Sequence, residues 1–218
     1  MTMHFVLEQI PIGGDRNFGY LIGDRKKQEA VLVDPAYQPE MLLERAHVQS
    51  LRITYILNTH GHSDHTNGNS QAKQMTQAPI AAYKGVVSPD LVLEDNSTLQ
   101  VGDLHLRFLH TPGHADDHLV IYSTELGAAI TGDLIFVGKV GGTATDEAAR
   151  TEWASIERVL TELPDTTTVW PGHDYGCRPA STLALERQSN PFVCCEDEEA
   201  FLQLKRDWSD FKSCHGLK

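Results

Sequence analysis

Cysteine is scarce in this 218-residue chain, which has only Cys177, Cys194, Cys195 and Cys214. They form no CxxC pair, and adjacent residues such as Cys194 and Cys195 rarely bridge each other. Neither a disulfide framework nor a thiolate metal site is expected, and free thiols in a reducing cytoplasm are. Long hydrophobic runs are also missing. Ala30–Val33 and Leu119–Tyr122 are far too short to span a bilayer, so no membrane association is expected. The opening Met1-Thr2-Met3-His4 lacks a basic segment followed by an apolar core, so no secretory leader is expected either. Basic charge is in deficit. Eighteen Lys and Arg against 30 Asp and Glu leave a formal charge of −12, which argues against a nucleic-acid surface. A local basic patch for a small anion stays compatible with that balance. At 40% hydrophobic and 22% charged, the composition is that of an ordinary globular protein. A chain of this length buries roughly 70% of its unfolded surface, enough for one large core or two modest ones.

What is abundant is histidine in one place. Thr59-His60-Gly61-His62-Ser63-Asp64-His65 puts three imidazoles and a carboxylate within six consecutive residues. Tyr55-Ile56-Leu57 before it reads as the end of a buried strand, and Gly61 and Ser63 as a tight turn. The cluster is therefore expected on a loop at the carboxyl end of a strand. Neutral imidazole and carboxylate suit zinc and also iron.

Along the chain, Val6–Ile10, Phe18–Ile22 and Ala30–Asp34 read as short strands. A helix is expected over Pro39–Ala46, a buried strand ending near Asn58, a helix over Asn67–Thr76 and a strand over Ile80–Tyr83. Leu104–Leu109, His118–Tyr122, Ala128–Thr131 and Thr167–Trp170 supply further strands. The clearest helix spans 146–163, with Asp146 as cap, Trp153, Ile156 and Leu160 on one stripe, and Pro164 beyond its end. From Pro179 onward the chain reads as a helical extension, Phe201, Leu204 and Trp208 recurring on one apolar face. This order predicts a single α+β domain over 1–218, with two packed sheets covered by helices and a short helical extension from about 179.

Three more polar residues share the setting of the first cluster. His114 in Thr111-Pro-Gly-His114, Asp133 in Ile130-Thr-Gly-Asp133 and His173 in Val169-Trp-Pro-Gly-His173 each close an apolar run in a glycine-bearing turn. The set of seven is too large for one tetrahedral metal and suits two metals sharing a carboxylate. His60 and His62 could chelate one ion together with His114. Asp64 and His65 point to a second position, joined by His173, and Asp133 is the best candidate bridge. A water held between two cations would lose a proton near neutral pH.

These motifs resemble the His-x-His-x-Asp-His signature and the later metal-binding motifs of the metallo-β-lactamase superfamily, in the correct order over about residues 4 to 192. Within it the chain looks most like the glyoxalase II-related group, which holds hydroxyacylglutathione hydrolases and persulfide dioxygenases. The resemblance implies a four-layer αββα sandwich, two mixed β-sheets flanked by helices, with the site at one edge. It also implies His60, His62 and His114 at a first metal, Asp64, His65 and His173 at a second, and Asp133 between them.

The first functional expectation from that resemblance is a metal-dependent hydrolase. It would cleave a thioester such as an S-hydroxyacylglutathione with a metal-bridging hydroxide, and Asp64 would both bind metal and orient the nucleophile. Two divalent ions are implied, zinc first, with iron or manganese as alternatives. Tyr175 falls where these hydrolases carry a tyrosine that contacts the glutathione backbone. The stretch Leu134–Gly142 lacks the group's Gly-Cys-Gly-Arg/Lys form, Gly142 standing where the basic residue would be, and Lys139 is the nearby substitute. The partner is then a small thioester or other glutathione-derived molecule; no oligomeric state is implied. The second expectation is a persulfide dioxygenase with one Fe(II) on His60, His114 and Asp133, oxidising glutathione persulfide. Gly172-His-Asp-Tyr175 and Ser181–Arg187 followed by Asn190-Pro191 resemble that group, although the latter also reads as a covering helix stopped by Asn190-Pro191. On the sequence, hydrolysis ranks first.

Overall fold

Strands buried on both faces read as continuous apolar runs rather than as alternating ones, and that is the character of Phe18–Ile22 and Ala30–Val33. The computed structural model describes residues 4–85 and 88–215, so the reading of Met1–Met3 lies outside the described residues. Its first sheet contains β1 (Phe5–Gly13), β2 (Asn17–Asp24), β3 (Glu29–Val33), β4 (Arg52–Leu57), β5 (Ile80–Tyr83) and β6 (Leu91–Leu93), in that spatial order. The second runs β14-β13-β10-β9-β8-β7, where β7 is Thr98–Val101, β8 Leu104–His110, β9 Leu119–Ser123, β10 Ala128–Gly132, β13 Thr168–Pro171 and β14 Ser181–Thr182. A small hairpin, β11 (Ile135–Phe136) and β12 (Lys139–Val140), lies apart from both. Both large sheets mix parallel and antiparallel pairs.

The period of two along each strand divides its side chains between two layers. Tyr20, Ile22, Val31 and Val33 meet Leu104, Leu106, Phe108, Leu119 and Ile121 of the other sheet between the two. Leu21 and Leu32 face outward and pack with Leu42, Ala46 and Ala72 under helices α1 (Pro39–Val48) and α3 (Asn69–Thr76). On the opposite outer face Leu109, Val120, Ala129 and Val169 lie under α4 (Asp146–Glu162), α5 (Leu183–Ser189) and α6 (Glu198–Arg206). Each fully buried Leu, Ile, Val or Phe in these layers contributes roughly 1.5–3 kcal/mol. The architecture is the αββα sandwich that the motif resemblance implies.

Several boundaries differ from the sequence pattern. Asp146 is the first helical residue of α4; the cap is Thr145, whose hydroxyl accepts from the Ala148 N–H at 3.1 Å. The region expected to be one helix over Asn67–Thr76 is preceded by a separate turn, α2 (Ser63–Thr66), which carries Asp64 and His65. The tail is not purely helical. Ser181–Thr182 pairs with β13, and the stripe Phe201, Leu204, Trp208 is split between α6 and α7 (Trp208–His215). All three residues still pack on the same cluster. No helix among the described residues is long and apolar enough to cross a membrane.

Candidate metal centre

Strand direction brings the motifs together. β9 runs antiparallel to both β8 and β10, and β13 parallel to β10, so β8, β10 and β13 share one direction. Their carboxyl ends emerge on one edge, bearing His114, Asp133 and His173. From the other sheet, β4 ends at Leu57 and its loop is tied to the same edge by Leu119 N–H donating to Thr59 O at 2.7 Å. Gly172 is required by close approach: a Cβ there would collide with Asp133 Oδ1 and lie 2.9 Å from His65 Cε1.

Each imidazole is oriented by its other nitrogen. His114 Nδ1 lies 2.7 Å from Gly142 O and His173 Nδ1 2.9 Å from Asp15 O. Carbonyls only accept, so both Nδ1 atoms carry hydrogen and both Nε2 atoms face inward. His65 Nδ1 lies 3.0 Å from Asp34 Oδ2. Thr59 donates its hydroxyl proton to Asp34 Oδ2 at 2.6 Å, which leaves its oxygen to accept from His60 Nδ1 at 3.1 Å. His62 is turned the other way, with Nδ1 3.0 Å from both His60 Nε2 and His114 Nε2.

The donors form overlapping groups. His60, His62 and His114 converge, as do Asp64, His65 and His173, and His60, His65 and Asp133 form a third set between them. Asp133 reaches both sides, Oδ1 being 3.4 Å from His65 Nε2 and Oδ2 3.5 Å from His114 Nε2 and 3.3 Å from His173 Nε2. His65 Nε2 and Asp133 Oδ1 are buried and have no hydrogen-bond partner. Buried donors and acceptors left in that state are costly, and a shared cation between them removes the cost. All seven residues named from the sequence are therefore assembled, and the donor set fits one or two divalent ions.

Electrostatics agree. Burial pushes His60 well below its ordinary value, so it is a neutral donor. Burial would raise Asp133, but the charge of His65 and the contact with His173 hold it well below the usual range. The hydrogen bond from His173 lowers Asp64. Burial acts to lower His173, yet Asp133 and Asp64 raise it to about 9. The carboxylates thus hold protons on this imidazole, positive charge that a divalent cation would replace.

Tyr175 stacks on His173, with ring centroids 4.7 Å apart and planes 5° apart. Its hydroxyl donates to Asp15 Oδ2 at 2.6 Å. Arg16 and Lys139 approach the ring at 4.7 and 4.2 Å from the centroid. A cavity of about 520 Å³ opens beside it, lined among others by Lys139, Tyr175, Cys177, Arg178, Pro191 and Trp208. Burial, together with the neighbouring charges of Lys212 and Arg16, lowers the Lys139 ammonium. A cationic wall thus stands at the centre of an acidic protein.

Four supporting residues are not evident from the motifs. Asp34 takes Thr59 N–H at 2.8 Å on Oδ1 while Oδ2 orients His65. Asn17 Nδ2 donates to Asp64 O and Oδ2, both at 3.1 Å. His118, which burial pushes down to about 3, accepts from Asp133 N–H at 3.1 Å and meets Thr111 Oγ1 at 2.8 Å. Asp117 Oδ1 accepts from Gly61 N–H at 3.2 Å. Asp34 does carry a signal, because it closes the run Ala30–Val33 as Asp133 closes its own.

Comparison with known proteins gives concordant findings. A family model described as the Metallo-beta-lactamase superfamily matches residues 12–89 and 83–173. The chain is 35% identical over 177 residues to the hydroxyacylglutathione hydrolase of Polaromonas sp., covering 78% of this chain and 67% of that protein. To the mitochondrial persulfide dioxygenase ETHE1 of Homo sapiens it is 31% identical over 190 residues, covering 84% of this chain and 73% of that one. The crystal structure of ETHE1 from Myxococcus xanthus superposes with a TM-score of 0.86 at 30% identity, covering 93% of this chain and 91% of that chain.

Proposed function

The chain belongs to the metallo-beta-lactamase superfamily, in its glyoxalase II/ETHE1-like branch, and on that premise we propose that this metal-dependent enzyme is a dioxygenase oxidising glutathione persulfide. The observation that carries the reading is the extent of one likeness. The Myxococcus xanthus ETHE1 chain is covered over 91% of its length, whereas the hydrolase of higher identity is covered over 67%. This reverses the order in which the motifs alone rank the two reactions.

In this reading His60, His114 and Asp133 would hold one iron, a set of two imidazoles and one carboxylate that suits a non-haem Fe(II) oxygenase. The iron, when bound, would supply the activation of dioxygen. The chain's own residues do the rest. His65 and His173 face the two oxygens of Asp133, at 3.4 and 3.3 Å. Lys139, Arg16 and Arg178 offer positive charge to the carboxylates of a glutathione-derived substrate, and Tyr175 forms a wall of its cavity. The four cysteines are free in the structure, which supports a reducing, cytoplasmic setting.

A second reading, thioester hydrolysis, is favoured by one specific observation. The second donor group, Asp64, His65 and His173, is complete, and Asp133 reaches both groups. Two ions, zinc first and manganese or iron otherwise, would then be held by His60, His62 and His114 and by Asp64, His65 and His173. Asp133 would lie between them and Asp64 would orient the attacking water.

Two assays on one preparation of known metal content separate the readings: oxygen uptake with glutathione persulfide, and thiol release from S-lactoylglutathione. Oxygen uptake with close to one iron per chain is expected. Thiol release without oxygen uptake, at two metals per chain, would overturn the dioxygenase in favour of the hydrolase.

A further inference from the structure

Helix α6 sends one cation into the protein interior. The Lys205 side chain is only 12% exposed and ion-pairs with Glu152 of α4, which is fully buried. Its ammonium also donates to Gly141 O at 2.5 Å and lies 5.3 Å from the Phe201 ring centroid. Burial pushes Glu152 up to about 7, Lys205 opposing the shift. A buried pair of this kind contributes little to stability compared with apolar residues of the same volume. Its surroundings suggest another role.

Both members contact residues next to His114: Lys205 holds Gly141 O, and the Glu152 backbone lies against Gly113. Gly141 precedes Gly142, whose carbonyl takes the His114 Nδ1 hydrogen at 2.7 Å. There is no slack at Gly141, where a Cβ would collide with Asp133 O and lie 2.9 Å from His114 Nδ1. On the other side, Gly113 immediately precedes His114, and a Cβ on it would collide with the Glu152 backbone. The residue before the ring's acceptor and the residue before His114 thus each lie against one member of the same ion pair. Those partners come from helices far from the metal-binding motifs in sequence.

We propose that Lys205 is a positioning residue for His114, holding the Gly141-Gly142 carbonyls so that His114 keeps its hydrogen on Nδ1 and presents Nε2 to the metal, with Glu152 as its counter-charge. This rests on His114 being a metal ligand, an assignment common to both reactions above, and its test reads no turnover. A failed activity assay therefore leaves it untouched.

The test uses the full chain, stripped of metal, as wild type, Lys205→Met and the double variant Glu152→Met/Lys205→Met. The double variant removes the charge that the single one leaves stranded, so it folds even where Lys205→Met does not. Zinc affinity is measured by competition with a chromophoric chelator, and the His114 tautomer by nitrogen-15 NMR of the imidazoles. Loss of an outer partner typically weakens a metal site 10- to 100-fold. Since Lys205 acts through the Gly141 carbonyl and the adjoining Gly142 carbonyl, the low end of that range, about a tenfold loss of zinc affinity, is expected in each folded variant. The single His114 Nδ1–H form should give way to a mixture. Wild-type zinc affinity with an unchanged His114 tautomer in the folded double variant would overturn the proposal and leave the pair as core packing.

Discussion

Asp133 is the residue on which the centre turns. One carboxylate oxygen faces His65 and the other faces His114 and His173, and its N–H is held by His118. Under either proposed reaction its loss removes a ligand, and in the two-ion case it removes one from both ions. Asp133→Ala is expected to lower metal occupancy and to cut kcat by at least about 100-fold, more than loss of an outer partner typically costs. Lys139→Ala should instead raise KM with kcat nearly unchanged, because a residue that only grips the substrate stabilises the bound substrate and the transition state equally. Steady-state kinetics and metal content of the two variants check this. Full occupancy and near-normal turnover in Asp133→Ala would remove the residue from the centre.

At the scale of elements, α4 is fastened to the strand that delivers His114. Arg158 donates from Nη1 to Asp95 Oδ1 at 2.9 Å and to His110 O, the last residue of β8, at 3.0 Å, and from Nε to Glu162 Oε1 at 2.7 Å. Burial would raise Asp95, but Arg158 and the His110 N–H bring it below its ordinary 3.8. The hydrogen bond from Arg158 brings Glu162 below 4.5. Both carboxyls are lowered on folding, so the unfolded chain binds more protons as pH falls. The contribution is complete above the unfolded values and is lost as pH drops through the folded ones. Arg158→Met is expected to cost about 1 kcal/mol at pH 7, the upper end for a partly exposed pair. The difference from wild type should shrink as the pH is lowered below about 4. Urea unfolding at pH 7 and pH 3.5 measures it. A difference that persists undiminished at pH 3.5 would assign the effect to the bond with His110 O instead.

For the whole molecule, a centre built from both sheets couples metal binding to global stability. A cation there is bound by the folded chain and hardly by the unfolded one. Metal at 100 times its Kd adds about 2.7 kcal/mol. For a chain of this size that is a rise in Tm of about 5–10 °C. Calorimetry before and after chelation, with metal restored, should show the loss and its reversal. An unchanged Tm after complete removal would mean that the folded chain holds the ion no more tightly than the unfolded one does, and would overturn a metal centre built by the fold.

The sequence alone determined the candidate ligand motifs and the layers they sit on. Three histidines and an aspartate lie within Thr59–His65, and glycine turns close apolar runs at His114, Asp133 and His173. Such spacing is local, so it can be read without knowing the fold. Long buried strands and α4 were legible for the same reason. Short pieces were not. β7 has a single buried residue, and β14 is two residues long and exists only by pairing with β13. Thr145 caps α4 in place of Asp146 because its hydroxyl is the one turned to the Ala148 N–H. The tertiary structure alone decided which common residues serve the centre. Asp34 meets His65 across 31 positions, His173 meets Asn17 across 156, and Lys205 meets Gly141 across 64. Asn17 and Lys205 look in sequence like any other polar residue, and the end of the run Ala30–Val33 singles out Asp34 without showing its partner, because a hydrogen bond depends on distance in space and carries no mark in the order of the chain.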